Sequence, residues 1–161
     1  MIRVCFVCLG NICRSPTAEG VMRDLVEREG LSSAIQVWSA GTGAWHVGEE
    51  PDPRSAATAA RRGVKLVSRA RQFTGGSFAE CDYAVAMDAQ NQRNLQQLAK
   101  SDADRAKIRL LRDFDAKSPK GSSVPDPYAG GPDGFEDVYD LVEAGSRGLL
   151  EHLKREHRLA R

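Results

Sequence analysis

The chain has 161 residues, with 23 Lys and Arg against 22 Asp and Glu, a net charge of +1, 41% hydrophobic and 28% charged residues. This is the make-up of an ordinary globular chain, which excludes a disordered or strongly charged protein and gives no reason to expect a nucleic-acid partner. No apolar run approaches the roughly 18 residues of a membrane span, and no basic-then-apolar leader opens the chain, so a cytoplasmic protein without a membrane partner is expected. Four cysteines, three of them between Cys5 and Cys13, do not make a disulfide framework and read as reduced thiols, one of them reactive. The length fits one domain over residues 1–161 and leaves the oligomeric state open. Basic residues gather at Arg54–Arg71 and Lys154–Arg161, where solvated faces are the expected use.

From Ile2 to Cys8 an apolar, β-branched and aromatic run predicts a strand, and Gly10-Asn11 marks a tight loop. Ser15 as N-cap and Pro16 at the first helical position open a helix whose apolar positions, Ala18, Val21, Met22, Leu25 and Val26, run until Gly30. Ile35–Trp38 predicts a second strand, followed by a small-residue loop over Ser39–Gly43 and a surface loop from Ala44 to Pro53. Asp52-Pro53 caps an alanine-rich helix that stops at Gly63. Val64–Gly76 is irregular. Cys81–Met87 predicts a third strand, Asp88 the cap of a helix with Leu95 and Leu98 inside, and Lys107–Leu111 a fourth strand. Between Phe114 and Gly134 lies a long loop rich in Pro, Gly, Ser and Asp, of a length that is more often functional than idle. A last helix runs from Phe135 to about His157 with Phe135, Val138, Val142, Leu149 and Leu153 on one face, and Gly145 and Gly148 predict close packing against the sheet. Strands alternating with helices define an α/β fold: an open four-stranded parallel twisted sheet with helices on both faces and its site beyond the carboxyl ends of the strands.

The first strand, loop and helix form an anion site in principle, because such a loop turns backbone N–H groups toward the positive end of a helix dipole. Cys8 ends the strand. Arg14 follows six residues later, placed to grip a tetrahedral oxyanion through two parallel hydrogen bonds, and a thiol between an arginine and a helix mouth is expected to act as a thiolate. Taken alone, Cys8 reads first as a buried hydrophobe, Ser15 as a plain helix cap, Asn11 as a residue that tolerates a left-handed turn, and Asp126, between Pro125 and Pro127, as a turn former. Cys5 and Cys81 read as core residues, and His46, His152 and His157 as surface residues.

Cys8-Leu9-Gly10-Asn11-Ile12-Cys13-Arg14-Ser15-Pro16, Ser39-Ala40-Gly41-Thr42, Ala70-Arg71-Gln72, Met87-Asp88 and Asp126-Pro127-Tyr128 together resemble the low-molecular-weight protein tyrosine phosphatases in order and spacing. The resemblance implies a phosphate-binding loop of Leu9, Gly10, Asn11, Ile12, Cys13 and Ser15 around the nucleophile Cys8. It also implies phosphate binding by Arg14, general acid and base work by Asp126, and aromatic walls of a substrate cleft from Trp45 and Tyr128. It implies a tyrosine-phosphorylated protein as substrate, a cysteinyl-phosphate intermediate, and neither cofactor nor metal. Asn11 would hold the loop by side-chain hydrogen bonds, Ser15 would contact the thiolate, and Cys13 would be an oxidation partner of Cys8. Relatives acting on phosphoarginine tend to carry threonine at the position of Ile12, so Ile12 points to phosphotyrosine. Many members carry Asp and His where this chain has Trp38 and Ser68, which leaves the support behind the loop open, with Ser39 still able to contact it. Two alternatives stand beside this reading. An arsenate reductase on the same scaffold needs two further cysteines in the middle of the chain, where only Cys81 lies. A non-catalytic phosphoprotein-binding module has no reason to keep Cys8, Arg14 and Asp126 together.

Overall fold

The computed structural model describes residues 1–128 and 133–159. Its strands are Ile2–Cys8 (β1), Ile35–Gly41 (β2), Tyr83–Ala86 (β3) and Ile108–Leu110 (β4). Its helices are Arg14–Arg28 (α1), Pro53–Arg61 (α2), Ala89–Leu98 (α3), Asp102–Ala106 (α4) and Asp133–Glu156 (α5). All pairings are parallel, in the order β2-β1-β3-β4, so the order reverses at β1 and the crevice at its carboxyl end is the natural place for a site. Strand alternation divides β1 between two cores. Val4, Phe6 and Cys8 pack with Met22 and Leu25 of α1 and Val142 and Leu149 of α5. Cys5 and Val7 pack on the other side with Phe73, Phe78, Leu95 of α3 and Cys81. Cys5 and Cys81 are therefore core residues, as their apolar surroundings in sequence suggest.

The expected punctuation is largely present. Gly30, at φ +69°, ends α1 in a Schellman turn in which Leu31 N–H donates to Val26 C=O at 2.9 Å and Gly30 N–H to Glu27 C=O at 3.0 Å. The Asp52 carboxylate caps α2 by accepting from Arg54 N–H at 2.8 Å, and Asp88 caps α3 by accepting from Asn91 N–H at 2.7 Å.

Three expectations are corrected. Ser15 is not the N-cap of α1: the helix begins at Arg14 after Cys13, because the Ser15 hydroxyl is committed to the loop, and Pro16 falls at the third helical position, where no N–H is needed. Ser39-Ala40-Gly41 is strand, not loop, and pairs with β1 up to Cys8 opposite Gly41. Its small residues reflect what lies over them, since a Cβ on Gly41 would come within 2.8 Å of Leu9 C=O and 3.0 Å of Asn11 N. Gly145 and Gly148 pack against the single 3₁₀ turn Leu111–Phe114 that follows β4, not against the sheet. A Cβ on Gly145 would meet the Leu111 side chain at 2.6 Å, and one on Gly148 would sit 1.9 Å from Phe114 C=O. Helix α4 and the two 3₁₀ turns, at Gly75–Glu80 and Leu111–Phe114, carry no sequence signal strong enough to have been expected. Residues 129–132 of the long loop and 160–161 of the basic terminus lie outside the described residues.

The basic stretch from Arg54 is paired. Arg61 and Arg62 reach Glu136 and Asp140 on α5 at 2.8 and 2.7 Å, and Arg69 reaches Glu50 at 3.4 Å. Gly148→Ala is expected to destabilise the fold despite the helix preference for alanine of about 1 kcal/mol, because the backbone carbonyl of Phe114 cannot move aside as a side chain can. Overpacking of this kind costs about 1–3 kcal/mol. Thermal denaturation checks it, and an unchanged or raised Tm contradicts the close approach.

Candidate active site

The loop between β1 and α1 is held from outside by its carbonyls. Thr42, Gly43 and Asp52 N–H groups donate to the C=O groups of Cys8, Leu9 and Ile12 at 2.9, 2.9 and 2.8 Å. In a trans peptide the next N–H points the opposite way, so those of Leu9, Gly10 and Cys13 turn toward the cleft that the loop lines. Asn11 adopts φ +58°, the left-handed conformation expected of it.

Side chains tie the loop to the sheet. Asn11 Nδ2 donates to Ser15 Oγ at 2.8 Å and to Ser39 Oγ at 3.0 Å, and its Oδ1 accepts from Arg71 N–H at 3.0 Å. Ser15 Oγ in turn lies 3.0 Å from Cys8 Sγ. Ser39 Oγ donates to Glu19 at 2.5 Å, and Glu19 is paired with Arg23 at 2.5 Å. A relay thus runs from the half-exposed Arg23 through the buried Glu19, Ser39, Asn11 and Ser15 to Cys8, which supplies the support behind the loop that Trp38 and Ser68 left open. Glu19 is a site residue the sequence reading missed, although its place one helical turn after Ser15 puts both on one face. Trp38 instead stacks on Phe73 at 6.3 Å under the Arg71 guanidinium at 5.0 Å.

Arg14 is buried, its side chain 3% exposed. Its Nη1 donates to Asp88 Oδ2 at 2.6 Å and to Val124 C=O at 2.9 Å, while Nη2 lies 3.8 Å from Asp126 Oδ2. Asp88 is the second missed residue; its cap signal was read, its partnership with an arginine far away in sequence was not. Asp126 is about half exposed, and its Oδ1 accepts from Tyr128 N–H at 3.1 Å.

Cys8, Leu9, Gly10, Ile12, Cys13, Arg14, Asp126, Trp45 and Tyr128 line one cleft, so of the expected site residues all but the inward-facing Asn11 and Ser15 meet there. Trp45 and Tyr128 form its exposed rim, and the Trp45 ring lies over Gly43, where a Cβ would come within 1.8 Å of it. His46 joins them and is no plain surface residue. It lies 3.1 Å from Glu49, packs over Gly10, and its ring centroid is 6.1 Å from that of Tyr128. His152 is likewise half-buried, 5.1 Å from Phe114 ring to ring, and burial pushes its pKa down. His157 remains exposed, with Nε2 2.9 Å from Tyr83 Oη. Burial raises the Cys5 thiol, and pushes Cys13 up to about 12, with help from the Asp52 charge, and Cys81 to about 11, so these three stay protonated near neutrality. Among the described residues no group of three or more His, Cys, Asp or Glu side chains is arranged to hold a metal ion. No helix of the described residues is long and apolar enough to cross a membrane.

A parallel α/β sheet that ends β1 in a thiol and opens α1 with a buried arginine defines a protein built around a cysteine-centred anion-binding loop. Residues 3–159 match the family model described as low molecular weight phosphotyrosine protein phosphatase, and the chain belongs to that family of phosphoric monoester hydrolases. It is 50% identical over 155 residues to a low molecular weight protein-tyrosine-phosphatase of Streptomyces coelicolor, covering 96% of this chain and 94% of the relative. A crystal structure of a protein tyrosine phosphatase from Entamoeba histolytica superposes with TM-score 0.92 at 35% identity, covering 99% of this chain and 100% of the other. The fold is shared with an arginine phosphatase from Drosophila, at TM-score 0.87 and 32% identity, covering 95% of this chain and 98% of the other.

Proposed function

We propose that this enzyme hydrolyses phosphotyrosine in protein substrates through a cysteinyl-phosphate intermediate. The observation that supports this best is the convergence of Cys8, Arg14 and Asp126 on one cleft walled by Trp45, His46 and Tyr128. In the first step Cys8 Sγ attacks phosphorus, an S–P bond forms as the P–O bond to the phenol breaks, and Asp126 gives its proton to the departing oxygen. In the second step water attacks phosphorus, the S–P bond breaks, and Asp126 takes the proton, releasing inorganic phosphate and restoring the thiolate. Arg14 and the inward N–H groups hold the equatorial oxygens throughout, where positioning and electrostatics dominate phosphoryl transfer. Ser15, 3.0 Å from Cys8 Sγ, is placed to donate to the sulfur as it leaves phosphorus. None of these steps uses a metal or cofactor, and the site of action is taken to be the cytoplasm.

Phosphotyrosine is favoured by the depth of the thiol below its rim. Cys8 is 3% exposed, whereas Trp45 is 72% and Tyr128 49% exposed, so a planar ring can pass between aromatic walls to place its phosphate on the floor. Ile12 presents no hydroxyl there. Because a neighbour in structure is an arginine phosphatase, the deciding assay compares phosphate release from phosphotyrosine and phosphoarginine peptides. A preference for phosphoarginine contradicts the substrate reading.

Asp126→Ala tests the acid. Hydrolysis of phenyl phosphate, whose leaving group needs protonation, is expected to fall about 10²–10³-fold, and that of para-nitrophenyl phosphate less than about tenfold. Equal effects on the two esters exclude Asp126 as the acid.

A further inference from the structure

The carboxylate of Asp126 stands on a proline-flanked loop fastened at the end of β3, where Val124 N–H donates to Met87 C=O at 2.7 Å, and among the described residues its direct tie to the phosphate-binding loop is the 3.8 Å approach to Arg14. A second tie runs through α2. Asp52 N–H donates to Ile12 C=O at 2.8 Å, anchoring the start of α2 on the phosphate-binding loop. The Asp52 side chain, 7% exposed, accepts from Arg54 Nε at 3.1 Å and Nη2 at 3.0 Å. Burial alone raises the Asp52 carboxyl, but these bonds from Arg54 outweigh it and hold the group below its usual range, so the pair is charged at neutral pH. Arg54 Nη2 also donates to Tyr128 C=O at 2.9 Å, and its guanidinium lies 4.6 Å from the centre of the Phe135 ring and 5.5 Å from that of Tyr128. Tyr128 N–H is the donor to Asp126 Oδ1. One residue, Tyr128, is therefore gripped at its carbonyl by Arg54 and grips Asp126 with its amide.

We infer that Arg54 is a positioning residue for proton transfer, holding the backbone of Tyr128 so that Asp126 faces the leaving-group side of the cleft; this rests on Asp126 being the acid proposed above. The contacts close a ring: Ile12 to Asp52, Asp52 to Arg54, Arg54 to Tyr128, Tyr128 to Asp126, Asp126 to Arg14, and back along the loop. Arg54 suits this place because its planar fork serves a carboxylate and a carbonyl at once while its face stacks on two rings, which an ammonium does not do. It does not itself line the cleft around Cys8 and meets it only through the rim residue Tyr128, so its loss is expected to act on protonation more than on phosphate binding.

The test measures phenyl phosphate and para-nitrophenyl phosphate side by side for Arg54→Met, Arg54→Lys, Asp126→Ala and the Arg54→Met/Asp126→Ala double variant. Arg54→Met is expected to slow phenyl phosphate by about 10–30-fold through kcat, with KM and the nitrophenyl rate changed less than about threefold, a fraction of what losing the acid costs. In the double variant the Arg54 change is expected to add almost nothing, because the group it positions is gone. Arg54→Lys keeps a cation beside Asp52 and serves as the second variant should Arg54→Met not fold; it is expected to recover part of the phenyl phosphate rate. Equal slowing of both esters, undiminished in the double variant, assigns Arg54 a purely structural part and overturns the inference, as does an unchanged phenyl phosphate rate. If Asp126→Ala is selective and Arg54→Met is not, only this inference fails. If Asp126→Ala is itself unselective, the acid assignment fails first and this inference with it.

Discussion

Cys8→Ser is expected to lower turnover of any aryl phosphate by more than about 10⁴-fold while leaving phosphate binding near its original strength. A serine oxygen at this place keeps a partner in Ser15, now 3.0 Å from the sulfur, and the loop needs no rearrangement to accept it. What is lost is nucleophilicity, since the alcohol stays protonated and Asp126, the carboxylate in the cleft, must itself hold a proton for the leaving group in the first step. Neither Asp88 nor Glu19 is free to serve, one being held by Arg14 and the other by Arg23 and Ser39. Binding and chemistry therefore separate: competition by inorganic phosphate persists, while product release stops. Steady-state assays with para-nitrophenyl phosphate, alongside a titration of phosphate binding, check both halves. Residual turnover within tenfold of the parent contradicts the nucleophile assignment.

Arg14→Ala is expected to lower kcat by about 10²–10³-fold and also to weaken phosphate competition, because the charge acts on oxyanions in the ground state and more strongly in the transition state. A stability effect accompanies it. Asp88 Oδ2 loses its 2.6 Å partner and Val124 C=O a 2.9 Å donor, at about 1–3 kcal/mol for groups left unsatisfied. Arg14→Lys separates the two contributions, since it returns a positive charge beside Asp88 without the planar fork. Recovery of the melting temperature without recovery of kcat is the expected pattern. Full recovery of kcat by lysine shows that charge alone is required.

The stretch from Ile2 to Gly30 was legible because local signals agree there: an apolar run, a turn pair, helical spacing and a glycine stop. The succession of the four strands along the chain, though not their order in the sheet, and the positions of Asp52 and Asp88 as caps were legible for the same reason. Ser39-Ala40-Gly41 misled because small residues signal a loop when nothing states what packs on them, and the answer, the backbone of Leu9 and Asn11, comes from another strand. Ser15 misled in the opposite way. Its chemistry as a cap is genuine, yet the competing partners Asn11 and Cys8 win the hydroxyl. In the candidate site Cys8 and Arg14 were legible from the loop pattern and Asp126 through the family resemblance, whereas the residues that hold them, Glu19, Asp88 and Arg54, were not singled out for that part. Each makes its contact across a long separation in sequence, and a carboxylate or guanidinium on a helix carries no mark of which distant group it will meet.

Asp88 caps α3 with one oxygen and fixes Arg14 with the other. Drift at this position is consequently constrained by two unrelated demands, helix initiation and anion recognition, that do not share a set of acceptable replacements. Serine and threonine meet the first and lack the reach and charge for the second; glutamate keeps the charge and is a poorer cap. Asparagine keeps the cap through its one carbonyl oxygen but turns an NH2 donor toward the guanidinium, so it too loses the second contact. The start of α3 and the grip on Arg14 are thus one structural decision, and a change at this carboxylate is felt at both places.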